Sequence, residues 1–348
     1  MALSSDQKVL SPRESGTFIV RVAQDVSIDM EGIKKCASEI FENVRSGKLS
    51  ARNFTQSTLH PKSTDPKAVD WIFLVDTLNF SFWSGDEDRD VPKWTVQFKG
   101  NSYTGYFALC AAVNRAIEEE GLDLTDPKVY GSLTVDDILR IFRSETSTPI
   151  PMPEDRVINL QEASRILQEK YQGSFVNCIH LAQKSAQQLL NTLVSDFSSY
   201  RDQAVLDSVT VSIHKRAQIL IGDIWACHEG QGLGEFDDID SLTMFADYRI
   251  PQVLLHYGAM KYSKELMDDL LKDKLLENGE RREVEIRGGS IHAVELISID
   301  VRERLVKVGL PPNMINSILI DHFLWDYRRE HAAEMEMYPY HKTRCIYY

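Results

Sequence analysis

Apolar residues recur at helical spacing over most of this chain, and this pattern restricts the folds that it can adopt. Ile33, Ile40 and Val44 lie on one face of a predicted helix, and Gly47 follows as a stop. Ser263 is a predicted N-cap of a later helix. The same periodicity predicts further helices over 107–120, 135–142, 155–171, 174–196, 204–226, 263–277, 290–308 and 313–335.

Strand-like patterns are few and short. Residues 71–75 form a continuous apolar, β-branched run, and residues 94–98 alternate before a turn at 99–101. A further strand-like stretch covers 282–286 and ends at a pair of glycines, so Ser290 is expected to cap the next helix. The predicted fold is therefore mainly α with a small β element.

The domain organisation follows from local composition. Residues 1–16 are rich in serine and charge and are predicted to be flexible. Residues 17–348 are predicted to form a single large, mainly helical domain, with a possible internal boundary at the prolines within 149–153. A chain of 348 residues can bury a sizeable core without disulfides or a structural metal.

Charge and cysteine usage exclude some classes of protein. The net charge of −13 argues against a protein whose affinity depends on neutralising many backbone phosphates, so direct polynucleotide binding is not expected. Five scattered cysteines are typical of reduced thiols. The sequence lacks an apolar signal segment at its start and any run of 18 uncharged apolar residues, so we expect a cytoplasmic protein without membrane association.

Common catalytic motifs are missing from the sequence. It contains no P-loop, no G-x-S-x-G, no H-E-x-x-H and no dinucleotide-binding fingerprint after a strand. His214, Cys227 and His228 lie near one another along the chain, but their spacing matches no standard metal site. We therefore predict neither a metal nor a cofactor.

One carboxylate stands out among aromatic residues. Asp247 lies between Phe245 and Tyr248 in an otherwise apolar stretch. A carboxylate in such surroundings can act as an acid or base, or can stabilise a cation that forms in a transition state. Capping of a following helix is the structural alternative for Asp247.

A second acidic and aromatic cluster covers residues 320–329 and contains Asp321 and Asp326. Five residues correspond to about 140° beyond a full helical turn, so these carboxylates do not share a helix face unless the helix starts between them. With Asp321 at the end of the helix and Asp326 inside it, both carboxylates would point into one pocket.

Four stretches of the chain resemble the queuosine salvage proteins, which act as queuosine 5'-monophosphate N-glycosidases. These stretches are 70–83, 103–116, 245–252 and 324–329, and the resemblance extends from Phe18 to Arg329. It implies a mainly helical fold similar to that of the helix-hairpin-helix DNA glycosylases. It also implies a metal-independent hydrolase that cleaves the N-glycosidic bond and releases queuine for salvage into tRNA.

The resemblance also implies roles for individual residues. Asp247 is the predicted catalytic carboxylate, which would stabilise an oxocarbenium-like ribosyl cation and orient water. Asp321 and Asp326 are expected to bind the cationic amine and the diol of queuine. His322 occupies a position where tyrosine is more usual in the family. The other predicted contacts are His60, Phe245, Tyr248 and His322 for the base, and Lys215, Arg216 and Arg249 for the 5'-phosphate.

Two other functions remain open on the sequence. A DNA base-excision glycosylase would need a basic groove, and the net charge argues against one. A non-catalytic helical module that binds queuine or a tRNA-modification partner is the alternative from another class. The preference between nucleoside and 5'-monophosphate, the oligomeric state, and the role of Asp247 as water activator, stabiliser or nucleophile also remain open.

Overall fold

The computed structural model describes residues 9–62, 65–83 and 91–348, and α-helices predominate in that part of the chain. The helices in chain order are α1 (Pro12–Val22), α2 (Met30–Arg45), α3 (Asn53–Gln56), α4 (Pro66–Thr77), α5 (Tyr106–Glu118), α6 (Pro127–Tyr130), α7 (Val135–Ile141), α8 (Pro153–Lys170), α9 (Val176–Ala182), α10 (Ala186–Asp196), α11 (Lys215–Cys227), α12 (Ile250–His256), α13 (Lys264–Leu271), α14 (Arg281–Lys307), α15 (Ser317–Glu330) and α16 (Ala332–Met335).

The β structure consists of antiparallel two-stranded sheets, in which β1 pairs with β6, β2 with β3 and β4 with β5. The prediction of a mainly α fold with a small β element is therefore confirmed. The strands are β1 (Val26–Ile28), β2 (Thr95–Phe98), β3 (Asn101–Thr104), β4 (Gln203–Leu206), β5 (Val209–Ser212) and β6 (Met260–Tyr262).

Two compact units divide the chain. The first combines Met1–Ser50, Asp202–Gln218 and Asp240–Arg344, and the second combines Ala51–Arg201, Ile219–Ile239 and Cys345–Tyr348. The possible boundary predicted at 149–153 falls inside the second unit, while the single-domain organisation stays a prediction. Helix α1 begins within the segment 1–16 that was expected to be flexible, because Ser11 and Glu14 form a capping box at its start.

The long helix α14 forms the centre of the first unit and packs against α1 and α2. Gly288 permits close approach to α1, because a Cβ added there would lie 2.3 Å from the Cδ1 atom of Ile19. Because α14 is one continuous helix from Arg281 to Lys307, the predicted strand at 282–286 and the predicted helix start at Ser290 are wrong. Gly288 and Gly289 lie inside the helix, where tight packing outweighs their low helix propensity.

Helix α4 replaces the strand predicted at 71–75 in the second unit. Asp65 caps the helix by accepting a hydrogen bond from the Ala68 N–H, and Pro66 occupies its first turn. Residues 71–77 are all buried. Because the helix is buried on every side, the apolar run lacks the helical period, and the sequence pattern resembles a strand.

The helices predicted at 204–226 and 174–196 are only partly correct. Strands β4 and β5 occupy the first part of 204–226, joined by Asp207 and Ser208 at φ values of +47° and +65°. Positive φ at both central residues is typical of a tight hairpin turn. The segment 174–196 divides into α9 and α10 because Gln183 and Lys184 also have positive φ.

Most other predicted elements are confirmed. The β2–β3 hairpin turns at the predicted residues, and α2, α5, α7 and α8 cover the predicted helices. Ser263 caps α13 by accepting a hydrogen bond from the Leu266 N–H, although that helix already ends at Leu271. The last predicted helix, 313–335, consists of α15 and α16 after a short 3-10 turn.

Candidate active site

The first unit holds Asp247 at the start of α12. Its Oδ1 atom accepts hydrogen bonds from the N–H groups of Arg249 and Ile250, at 2.8 and 2.9 Å. The N-cap residue of α12 is Arg249, so Asp247 holds the turn that precedes this helix, through a single carboxylate oxygen, and does not cap the helix itself. The Oδ2 atom accepts no hydrogen bond from the described residues. The two N–H donors therefore fix the orientation of the carboxylate and leave one oxygen available.

Asp321 lies in the second turn of α15 and is 6% exposed. Its Oδ2 atom accepts a hydrogen bond from the Phe245 N–H at 2.9 Å, two residues before Asp247 along the chain. Burial raises the pKa of Asp321 well above its usual range, and the charge of Asp247 raises it further. The Phe245 N–H and the charge of Lys215 oppose this rise in pKa. The structure thus brings together two carboxyl groups in different environments.

Lys215 is positioned by the buried side chain of Asp202. The Lys215 N–H donates to Asp202 Oδ2 at 3.0 Å, at the start of α11. Arg287 forms an ion pair with Asp202, and its Nε atom donates a hydrogen bond to the Ala246 carbonyl at 3.0 Å. One buried guanidinium therefore joins the start of α11 to the residue before Asp247.

The aromatic side chains that neighbour Asp247 along the chain contact other rings in the first unit. Phe245 is buried, and its ring centroid lies 6.2 Å from that of His322. Tyr248 is also buried, with its ring centroid 5.5 Å from that of Tyr340. These rings offer apolar surfaces in the neighbourhood of Asp247.

Two arginines form a cationic cluster around Gln252. The Oε1 atom of Gln252 accepts hydrogen bonds from Arg249 Nη1 and Arg328 Nε, each at 3.2 Å. The guanidinium of Arg249 also lies over the rings of Tyr248 and Tyr340, at 5.1 and 4.2 Å from their centroids. Of the cations predicted to contact phosphate, Arg249 belongs to this cluster, whereas Lys215 acts electrostatically on Asp321 and Arg216 is fully buried.

Helix α15 runs without interruption from Ser317 to Glu330 and contains both Asp321 and Asp326. The condition under which both would face one pocket, a helix that starts between them, is therefore not met. Burial raises the pKa of Asp326, while the charge of Arg329 opposes that rise. The structure groups Asp321 with Asp247, and the substrate contact of Asp326 stays a prediction.

His60 belongs to the second unit, where aromatic rings surround it. Its Nδ1 atom lies 2.8 Å from the Phe54 carbonyl and its Nε2 atom 3.1 Å from the Tyr106 hydroxyl. The rings of His60 and Phe54 stack with centroids 4.1 Å apart. Burial lowers the pKa of His60 to about 4, so the ring is neutral at pH 7. Both ring nitrogens have protein partners, and the predicted base contact stays a prediction.

Sequence reasoning missed Arg328, Gln252 and Arg287. A signal for Arg328 was present, because it follows Asp321 by seven residues and seven residues bring a helix back to nearly the same face. No sequence signal marks Gln252 or Arg287, since their partners lie on other elements.

Within 9–62, 65–83 and 91–348, no group of three or more histidine, cysteine, aspartate or glutamate side chains could hold a metal ion. His214, Cys227 and His228 are thus not assembled into such a group. None of the helices in these described residues has both the length and the apolar character that are needed to cross a membrane.

Comparison with known proteins identifies the family. A family model described as "Queuosine salvage protein" matches residues 59–348. The chain belongs to the queuosine salvage protein family. The resemblance predicted from the sequence is therefore confirmed, and the matched region contains every predicted site residue.

Relatives of this chain match it along nearly their whole length. A protein of Mus musculus is 46% identical over 339 residues, covering 97% of this chain and 99% of the relative. A protein of Bos taurus is 47% identical over 342 residues, covering 98% and 99%. A protein of Schizosaccharomyces pombe is 38% identical over 328 residues, covering 92% of each. All three are named "Queuosine 5'-phosphate N-glycosylase/hydrolase".

Proposed function

We propose that this protein hydrolyses the N-glycosidic bond of queuosine 5'-phosphate and releases queuine for salvage into tRNA. The observation that carries the assignment is its end-to-end similarity to relatives that bear the name of this activity. The environments of Asp247 and Asp321 support a mechanism in which the protein's own side chains stabilise charge at the reacting sugar.

The reaction breaks the bond between C1' of the ribose and the base nitrogen. The electron pair of that bond leaves with the base, the oxygen of a water molecule bonds to C1', and one water proton ends on the base. Positive charge develops on the ribose before the water bond is complete. We assign Asp247 to stabilise this charge and to orient the water through Oδ2, since Oδ1 is occupied by two N–H donors.

We assign Asp321 to the secondary amine of queuine, which is cationic at neutral pH. Burial favours the neutral form of Asp321, whereas a bound cation favours the carboxylate. Queuine binding should therefore release a proton from Asp321. Phe245, Tyr248 and His322 are assigned to the base, and we retain His60 and Asp326 as further contacts of the base and the diol.

Several broader predictions remain as proposals. We infer a fold similar to that of the helix-hairpin-helix DNA glycosylases, and a cytoplasmic protein whose partner is the nucleotide substrate. We also infer a single catalytic domain, since the family match at 59–348 includes segments of both compact units. Lys215, Arg216 and Arg249 are retained as phosphate contacts.

The test is release of free queuine from queuosine 5'-phosphate by the purified protein, measured by chromatography with and without EDTA. Asp247→Asn should lower kcat by about 10²- to 10⁴-fold. The amide oxygen can still accept the N–H groups of Arg249 and Ile250, so thermal stability should change little.

Asp238→Asn is a matched control in the second unit. The Asp238 carboxylate also accepts backbone N–H groups at the start of a helix, those of Ala186 and Gln187, and it is assigned no role in the reaction. This variant should retain wild-type kcat. Wild-type protein that binds queuine but releases none from the nucleotide would favour the non-catalytic binding module.

A further inference from the structure

The segment 242–247, which ends at Asp247, belongs to no helix or strand, and residues 242–246 are all buried. Buried backbone N–H and C=O groups need hydrogen-bond partners. Within the described residues, the backbone of this segment bonds to side chains and to no backbone group of another element. The position of Asp247 therefore depends on those side chains rather than on regular secondary structure.

Side chains of three helices bind the segment at intervals along its length. Gln218 of α11 is 1% exposed, and its Oε1 atom accepts a hydrogen bond from the Thr243 N–H at 2.8 Å. Asp321 of α15 accepts the N–H group that lies two residues further along the chain. Arg287 of α14 then binds the carbonyl just before Asp247. The segment is thus held from several sides by groups that are distant in sequence.

The first contact along the segment comes from the N-terminal helix α1. Arg13 Nη2 donates hydrogen bonds to the carbonyls of Asp240 and Leu242, at 2.8 and 3.3 Å. Its Nε atom forms an ion pair with Glu295 of α14 at 2.6 Å. Glu295 also accepts a hydrogen bond from the hydroxyl of Ser317, the first residue of α15, at 2.7 Å. Arg13 therefore joins the start of the segment to the two helices, α14 and α15, that bind it further along.

Helix α1 itself is fixed on β5, so Arg13 extends from an anchored backbone. The Ser15 hydroxyl oxygen accepts a hydrogen bond from the Ser212 N–H at 2.9 Å, and the Leu10 N–H donates to the Thr210 carbonyl at 3.0 Å. The Arg13 side chain is 46% exposed. A substitution there removes the contacts with the segment and leaves the buried core in place.

We propose that Arg13 is a positioning residue for the glycosidase reaction, which fixes the start of the 242–247 segment and thereby the orientation of Asp247. The inference rests on the proposed function. Arg13 lies outside residues 59–348, to which the family model matches. A planar guanidinium has five donors, so one side chain can bind two carbonyls and a carboxylate at once. Displacement of a reacting group by about 1 Å can lower a rate by about 10²-fold, even when the substituted residue is remote.

The first test compares Arg13→Ala with wild type on queuosine 5'-phosphate. The kcat should fall by about 10- to 100-fold. KM should change little, because Asp247 is assigned to charge that forms only during the reaction. Arg13→Lys should have an intermediate kcat, because its ammonium group retains the ion pair with Glu295 but lacks the planar fork. If Arg13→Ala fails to fold, the kcat of Arg13→Lys decides the question.

Arg201→Ala is the matched control. Arg201 is also an exposed arginine that donates to two backbone carbonyls, those of Val194 and Ser195, at 2.8 and 3.0 Å. It lies in the second unit and is assigned no role in the reaction. This variant should retain the wild-type kcat and KM.

Hydrogen–deuterium exchange of peptides that cover 242–247 provides a readout that is independent of activity. The N–H groups of Thr243 and Phe245 are bonded to side chains, so their exchange reports local opening of the segment. Exchange there should be faster in Arg13→Ala than in wild type. Arg201→Ala should match wild type over the same peptides.

Wild-type kcat in Arg13→Ala, or unchanged exchange over 242–247, would overturn the proposal. An equal loss of kcat in Arg201→Ala would overturn it as well, because the loss would then follow from general destabilisation. If wild type released no queuine, the proposed function would fail, while the exchange experiment would still decide whether Arg13 holds the segment.

Discussion

Arg287 and Asp202 form a two-point ion pair in the interior of the first unit, with nitrogen to oxygen distances of 3.0 and 2.6 Å. Both side chains are almost fully buried, at 1% and 4% exposure. The pair has a positioning role, because Asp202 also accepts the Lys215 N–H and Arg287 also donates to the carbonyl that precedes Asp247.

Loss of this pair should destabilise the protein. Arg287→Met leaves Asp202 and Glu283 buried without their cation, so we expect the free energy of unfolding to fall by about 3–5 kcal/mol. Urea unfolding followed by circular dichroism measures the change. The free energy of unfolding of the double variant Arg287→Met with Asp202→Asn should fall by less than the sum of the decreases in the two single variants. Strict additivity would show that the two side chains are not coupled.

Replacement of Asp321 should stabilise the protein at neutral and higher pH when stability is measured without added queuine. The folded-state pKa of Asp321 is raised, so the folded protein holds a proton that the unfolded chain releases, and stability falls as pH rises from about 3.8. Asp321→Asn removes this loss of stability with rising pH, and its amide oxygen can still accept a hydrogen bond from the Phe245 N–H. Its melting temperature should exceed that of wild type by a few degrees at pH 8 and match it at low pH.

The same variant should bind queuine at least about 10-fold more weakly, because a charge-assisted hydrogen bond to the amine is lost. Calorimetric titration with queuine measures this affinity. A variant that is more stable yet binds queuine as tightly as wild type would contradict the assignment of Asp321 to the amine.

Two buried histidines should make the protein sensitive to acid. Burial lowers the pKa of His60 to about 4 and that of His341 to about 3, and the charge of Arg287 contributes to the latter. Below about pH 6.5 the unfolded chain binds protons that the folded protein refuses, so stability falls as pH decreases. Each histidine should contribute about 1.4 kcal/mol per pH unit between about pH 6.5 and 4.

Urea unfolding of wild type, His60→Gln and His341→Gln across this pH range tests the contribution of each histidine. Each variant should show a smaller decrease in stability with acid than wild type. An unchanged slope in either variant would mean that the corresponding histidine takes up its proton equally in the folded and unfolded states.

Gly288→Ala should destabilise the protein although alanine is the better helix former. The added Cβ would lie 2.8 Å from the Cβ of Ile19, a separation that requires α1 or α14 to shift. Overpacking costs about 1–3 kcal/mol, which exceeds the gain of about 1 kcal/mol in helix propensity. Adding Ile19→Ala should recover part of the overpacking cost in a double-mutant cycle of unfolding free energies. A more stable Gly288→Ala would show that the contact between the helices is loose.

Local signals in the sequence predicted much of the secondary structure. The β2–β3 hairpin, the Ser263 cap and the helices with one apolar face were predictable because the interactions that form them lie within a few residues. Helix α4 was not predictable from the sequence, because burial on all sides removes the periodicity on which the prediction depends. The full length of helix α14 was not predictable either, because its central glycines are explained by contacts with α1 and β1, which are distant along the chain.

The candidate site likewise combines features that were predictable from the sequence with features that depend on tertiary contacts. From the sequence alone we could predict the family, the mainly helical fold and the choice of Asp247 and Asp321 as candidate residues. The three-dimensional fold was needed to show that Phe245 links Asp321 to the Asp247 segment and that Gln252 joins Arg249 to Arg328. The physical reason is that charge and hydrogen bonding act through space, whereas the patterns that a sequence displays report contacts between residues close along the chain.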